Sequence, residues 1–206
     1  MIKLYHCEFA RSFRALWTLE ELGIEYELVN MIFPPRITFP GYLEINPLGT
    51  VPTLVDGPTT MTESAGICQY LAERHGRSSI GLAPNDPAYG EYLNWLHRSD
   101  ATLTFPQTIV LRYSRLEPED RRVPQVVADY TQWFFSRLRS VEAALEGKDY
   151  LVAQRFTVAD IAVHYAILLA ARLGFEDQFK PNCRRYFEAL KRRPGYQRAC
   201  ERQVLD

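Results

Sequence analysis

The chain has 206 residues, with 24 lysines and arginines against 25 aspartates and glutamates, a formal charge of −1. Its composition, 47% hydrophobic and 24% charged, excludes wholesale disorder, and the even charge excludes the basic footprint of a nucleic-acid or membrane-surface binder. Four scattered cysteines, at positions 7, 68, 183 and 200, and four histidines away from them support neither a disulfide framework nor a zinc site and favour a reducing cytoplasm.

Read from the start, Met1-Ile2-Lys3-Leu4-Tyr5 has no basic stretch ahead of a long apolar run, so no secretory leader is expected. Ile2 to His6 and Tyr26 to Val29 read as strands. Between them Phe13, Leu16, Trp17, Leu19 and Leu22 recur at helical spacing, with Gly23 as the stop. That is a βαβ unit with parallel strands. A Pro-rich irregular stretch follows (Phe33-Pro34-Pro35, Phe39-Pro40-Gly41), then strands at Thr53 to Val55 and Thr59 to Met61 around the turn Asp56-Gly57-Pro58. A helix runs from Ser64 to about His75.

The Gly, Ser and Pro content of residues 76–87 reads as connecting chain. The expected division is an α/β domain over 1–78, a linker over 79–87 and an all-helical domain over 88–206. In the last, Val126, Tyr130, Trp133, Phe134, Leu138, Val141 and Leu145 form one stripe. Thr157-Val158-Ala159-Asp160 is a capping box with Asp in place of Glu or Gln, and Phe156 before it is placed as a hydrophobic staple. The apolar run Tyr165 to Ala171 is far shorter than the ~20 residues of a membrane span. Pro181 and Pro194 suit the first turns of two final helices.

Three segments, taken in order, carry a resemblance. They are Tyr5-His6-Cys7-Glu8-Phe9-Ala10-Arg11-Ser12-Phe13-Arg14, then Asn46-Pro47-Leu48-Gly49-Thr50-Val51-Pro52 with Glu63-Ser64, then Phe156-Thr157-Val158-Ala159-Asp160. Together they closely resemble the glutathione S-transferase superfamily, in its cytosolic, bacterial-type members, over essentially the whole chain. The resemblance implies a thioredoxin-like N-terminal domain that binds glutathione as co-substrate, an all-helical C-terminal domain, no metal, and a cytoplasmic homodimer that conjugates small hydrophobic electrophiles in detoxification.

It also implies parts for individual residues. Val51-Pro52 would form a cis step whose Val51 backbone pairs with the cysteinyl part of glutathione. Glu63 and Ser64, at the start of a helix, would hold the γ-glutamyl ammonium and carboxylate; read without the resemblance, Ser64 is simply the helix cap with Glu63 before it. Asp100 falls where a second acid would meet that ammonium, or lies on a solvated helix face. Thr157 and Asp160 form a structural cap. Phe105, Ile109 and Tyr113, with Phe9 opposite, would wall an apolar substrate pocket, or are ordinary core or dimer residues.

The thiol-activating group departs from the pattern. A thiol titrates near 8.5, so glutathione chemistry at neutral pH requires the site to favour the thiolate. Ala10 stands where serine-type members carry their donor. Ser12 is the nearest hydroxyl, serving either the thiol or only the backbone; Arg11 supplies charge or is a surface arginine. Tyr5 is expected in the core and Cys7 as a buried thiol. Reductive, ether-cleaving or dehalogenating chemistry on the same site, or binding without catalysis, stay open as alternatives.

Overall fold

The computed structural model describes residues 1–204, apart from the side chains of Arg77 and Ser78. Two compact units result: Met1–Asp86 together with the residues from Leu190 onward, and Pro87–Ala189. In the first, β1 (Ile2–Cys7), α1 (Phe13–Leu22) and β2 (Tyr26–Met31) form the expected βαβ unit. Both strands extend slightly past their predicted ends. Gly23 closes α1 in the left-handed conformation, its N–H on the Leu19 carbonyl.

β3 (Thr53–Asp56) and β4 (Thr59–Met61) complete a sheet of order β2-β1-β3-β4. β1 and β2 are parallel, with Ile2 opposite Tyr26 and Cys7 opposite Met31. β3 lies antiparallel to β1, with Thr53 opposite Tyr5, and β4 antiparallel to β3. This topology positions the site. The exit of β1, the entry to β3 and the exit of β4 into α4 (Ser64–His75) all fall at one end of the sheet.

Two short helices, α2 (Pro35–Thr38) and α3 (Tyr42–Ile45), occupy the Pro-rich stretch. Tyr42 from α3 is buried with Tyr5, Cys7 and Met31 against the sheet. Part of the expected linker is not irregular: α5 (Arg77–Ile80) is a helical turn, and Ile80 and Leu82 are buried. These apolar side chains draw the backbone into the core.

The C-terminal helix α11 (Pro194–Arg202) belongs spatially to the first unit, where the sequence reading grouped it with the helical domain. Its partner is α1. Tyr196 packs edge-on against Trp17, with centroids 5.0 Å apart, and against Phe13 at 5.4 Å. Arg193 grips Glu21 with two hydrogen bonds of 2.8 and 2.9 Å, and Arg198 and Arg202 converge on the buried Glu20 at 2.9 and 3.0 Å. Gly195 makes the approach possible, because a Cβ there would lie 2.6 Å from Glu21 Cδ.

The second unit is helical among its described residues. α6 (Tyr89–Arg98) runs into a wide π-helical stretch, 99–104, and then α7 (Phe105–Leu111). Pro106 explains the widening. It has no N–H to donate and its ring crowds the preceding turn, so the Phe105 N–H reaches back five residues to the Asp100 carbonyl. α8 (Pro124–Ala144) carries the predicted stripe, with Phe134, Leu138 and Val141 buried. α9 (Val158–Arg172) is the buried central helix, and α10 (Pro181–Lys191) follows it.

Candidate active site

The loop from Asn46 to Pro52 is built by hydrogen bonds from buried side chains. Asn46 Nδ2 donates to the Thr50 carbonyl (2.8 Å) and Thr53 Oγ1 (3.1 Å), while its Oδ1 accepts from the Leu48 N–H (3.0 Å). The Tyr42 hydroxyl donates to the same Thr50 carbonyl at 2.6 Å. Gly49 sits at φ +63°, and a Cβ there would lie 2.8 Å from Arg36 Cβ, so the turn has room only for glycine. The Val51–Pro52 peptide is cis. Among the described residues, no hydrogen bond engages the N–H or C=O of Val51. An extended peptide can therefore pair there, as a strand pairs with a sheet edge.

At the same end of the sheet, α4 begins. Glu63, rather than Ser64, takes the extended cap conformation (φ −88°, ψ 115°), and Ser64 is the first helical residue. The Glu63 side chain is exposed, with no ion pair within the described residues. Ser64 is buried, and the reason lies behind it: the guanidinium of Arg14, fully buried on α1, donates to Ser64 Oγ at 2.9 Å. With one lone pair taken, the hydroxyl hydrogen is free to donate to an anion, and a buried cation stands behind it. The open N–H groups of the first turn of α4 add to this positive field.

Ser12, at the cap of α1, is fully buried. Its hydroxyl accepts the Cys7 N–H at 3.3 Å and donates to the Cys7 carbonyl at 3.4 Å. A hydroxyl has one hydrogen, and here it is spent on the backbone. Arg11, one residue earlier, is half-buried. Cys7 is buried against Tyr5, Met31 and Tyr42, and burial pushes its thiol up to about 11, away from thiolate chemistry. Phe9 stands between, at φ +51°, partly buried beside Phe13. Beneath the loop, His6 is fully buried, and the loss of solvent lowers it to about 4, so the imidazole is neutral.

The remaining predicted residues lie in the second unit. Asp100 is half-buried in the π-helical stretch. Phe105 is 45% exposed and meets Tyr130 of α8, with centroids 6.4 Å apart, in an aromatic group that continues to Trp133. Ile109 and Tyr113 are half-buried, the latter 5.7 Å from the Arg112 guanidinium. Thr157 and Asp160 form the expected capping box, the Thr157 N–H on Asp160 Oδ2 at 2.8 Å. Among the described residues no group of three or more metal-binding side chains occurs, and no helix is long and apolar enough to cross a membrane.

Residues 3–79 match the N-terminal domain of glutathione S-transferase and residues 134–194 its C-terminal domain. The chain belongs to the glutathione S-transferase superfamily. By that membership it is an enzyme of glutathione S-transferase type with a thioredoxin-like first domain. Glutathione S-transferase 3 of Schizosaccharomyces pombe is 27% identical, over 98% of this chain and 88% of its own length. BphK, a bacterial glutathione S-transferase solved in a ternary complex, is 26% identical, with 98% of this chain and 100% of its own covered and a TM-score of 0.87. The glutathione transferase URE2P6 from Phanerochaete chrysosporium, solved with oxidized glutathione, is also 26% identical, with 98% and 96% covered and a TM-score of 0.86.

Arg14, which donates to the candidate residue Ser64, is a side chain that sequence reasoning missed. In the sequence it serves only to align the start of α1, and an arginine in the first turn of a helix reads as a solvated side chain. The absence of a complementary acid at helical spacing was no signal, because its partner is Ser64, fifty residues away.

Proposed function

We propose that the chain binds glutathione across the Val51 backbone, Glu63 and Ser64, and conjugates its thiolate to a small hydrophobic electrophile. The unpaired Val51 backbone, standing at the same sheet end as the Arg14–Ser64 pair, carries this reading. The γ-glutamyl carboxylate takes the Ser64 hydroxyl and the α4 N–H groups, and the ammonium takes Glu63. The cysteinyl N–H and C=O take Val51, beside Pro52. The thiolate then attacks an electrophilic carbon, the new C–S bond forming as the leaving group departs with its electron pair.

Lowering a thiol by ~2 units requires the site to favour the anion by ~2.7 kcal/mol. A helix N-terminus contributes about 0.3–1 kcal/mol, too little alone; a hydrogen bond from a charged donor contributes about 1.5–3 kcal/mol. With the Ser12 hydrogen on Cys7, we assign thiolate stabilisation to Arg11 with the first turn of α1, and Ser12 to holding the loop. The parts given to Asp100 and to the apolar wall of Phe9, Phe105, Ile109 and Tyr113 rest on the family resemblance. So do the homodimer and the detoxification role. Among the described residues no disulfide joins Cys7, Cys68, Cys183 and Cys200, which supports a cytoplasmic setting.

The test joins retention on immobilised glutathione with turnover of a chloronitroaromatic. Retention with turnover is expected, and Arg11→Ala should raise the pKa of the bound thiol by about one unit, with kcat down about tenfold. No binding at millimolar glutathione overturns the reading. Binding without turnover of any electrophile favours a non-catalytic protein of this fold.

A further inference from the structure

The β1–α1 loop has a second anchor besides Ser12, and it comes from the other end of the chain. Phe9 holds φ +51°, a conformation that side chains with a Cβ rarely adopt. Its N–H donates to Oε1 of Gln203 at 2.9 Å, across 194 positions of sequence. Gln203 follows α11 and is 1% exposed. The preceding Arg202 carbonyl accepts Asn30 Nδ2 of β2 at 2.9 Å, and α11 is itself fastened to α1 through Glu20 and Glu21.

The surroundings are unusual. Among the described residues, both ring nitrogens of His6, Nε2 of Gln203 and Oδ1 of Asn30 are buried with no hydrogen-bond partner. The Ser12 backbone and the Gln203 side chain both favour the charged imidazole, but burial outweighs them. Leaving a buried polar atom without a partner is costly, so each such atom in a native structure calls for a reason. Gln203 thus leaves part of its own amide unsatisfied while fixing the one loop residue with left-handed backbone.

We propose that Gln203 is a positioning residue for the thiol-activating loop, acting through the Phe9 N–H; this rests on the glutathione reading. Two residues separate Phe9 from Ser12; the Ala10 N–H donates to the Cys7 carbonyl at 3.1 Å and its carbonyl accepts the Phe13 N–H at 2.9 Å, so the turn at Phe9 and the start of α1 together set the path of Arg11. Ser12 fixes the helix end through Cys7 and Gln203 fixes the strand end. If Phe9 relaxes to ordinary backbone angles, Arg11 and the first amides of α1 swing away from the thiol, while Val51, Glu63 and Ser64 keep their places. Binding and activation are thereby separable.

The experiment uses the full chain with Gln203→Leu, which removes the acceptor at nearly constant volume, and Gln203→Glu, which retains one. Amide hydrogen exchange over residues 7–12, measured without ligand, should quicken in the leucine variant and stay protected in the glutamate variant. With glutathione, titration of the bound thiol by its ultraviolet thiolate absorbance should move upward for Gln203→Leu. Its kcat should fall roughly 10- to 100-fold with KM for glutathione within about threefold. Unchanged exchange in a folded leucine variant overturns the clasp. Altered exchange with an unmoved thiol titration overturns its role in activation. Failure of the unaltered chain to bind glutathione overturns instead the reading on which the proposal rests, and with it the positioning role, while the exchange result still reports on the clasp.

Discussion

At the scale of single residues, the site divides its labour. In the proposed binding mode Arg14 and Ser64 serve a carboxylate far along the ligand from the sulfur, whereas Arg11 serves the sulfur. Ser64→Ala removes the hydroxyl that stands between the buried guanidinium and the ligand. A hydrogen bond to a charged group is worth about 1.5–3 kcal/mol, so glutathione should bind roughly 10- to 150-fold more weakly. The thiol titration of the saturated variant should match the unaltered chain. Calorimetry and a pH titration check the two halves, and an affinity within twofold would remove Ser64 from the site. Arg11→Ala should show the reverse pattern, which separates the two roles without appeal to rate alone.

At the scale of elements, Asp160 shows how one side chain organises several. Its carboxylate accepts the Leu151 N–H at 3.0 Å, the Thr157 N–H at 2.8 Å, the Thr157 hydroxyl at 3.2 Å and the Tyr186 hydroxyl at 3.0 Å. It therefore ties the start of α9 to the preceding loop and to α10. Asp160→Ala leaves two buried N–H groups without acceptors, at about 1–3 kcal/mol each, so the helical unit should lose about 2–5 kcal/mol. Denaturant melts followed at α9 check this, and glutathione affinity at low temperature should hold. A loss below about 0.5 kcal/mol would contradict the capping account.

The elements differ in how far the sequence disclosed them. Phe13 to Leu22, with its periodic face and Gly23, was legible because helix signals are local, and so was the Thr157–Asp160 box. The loop at Asn46 to Pro52 was legible for the same reason: its bonds span two to eight residues. The π-helical stretch before Pro106 was not drawn, though the proline that causes it was in view. The seat of α11 could not be read at all. Its pairs, Glu20 with Arg198 and Glu21 with Arg193, are joined across 178 and 172 positions, and nothing local marks them as partners. The same distance hid Gln203, and the direction of the Ser12 hydroxyl is a matter of packing that a residue name does not carry.

At the scale of the whole molecule, His6 and Asp160 are buried groups with opposite pH signatures. His6 titrates at about 4 in the folded chain against 6.5 unfolded, because burial disfavours the imidazolium. Between those values the unfolded chain binds a proton that the folded chain does not, so stability is lost as the pH is lowered, by roughly 3 kcal/mol across the window. Burial pushes Asp160 up to about 6 from 3.8, in spite of its hydrogen bonds. There the folded chain binds the extra proton, and the same acidification stabilises by a similar amount, roughly 3 kcal/mol. The first group lies in the sheet unit and the second in the helical unit. Lowering the pH from 7 to 5 should therefore speed exchange at the slowest amides of β1 while slowing it, after correction for intrinsic rates, at those of α9. His6→Leu removes two unpartnered nitrogens and the titration together, so its β1 amides should lose the acid sensitivity and keep their protection at pH 5. Parallel loss of protection in both units over that range would show that neither buried group governs the response, and a His6→Leu chain as acid-sensitive as the unaltered one would assign it elsewhere.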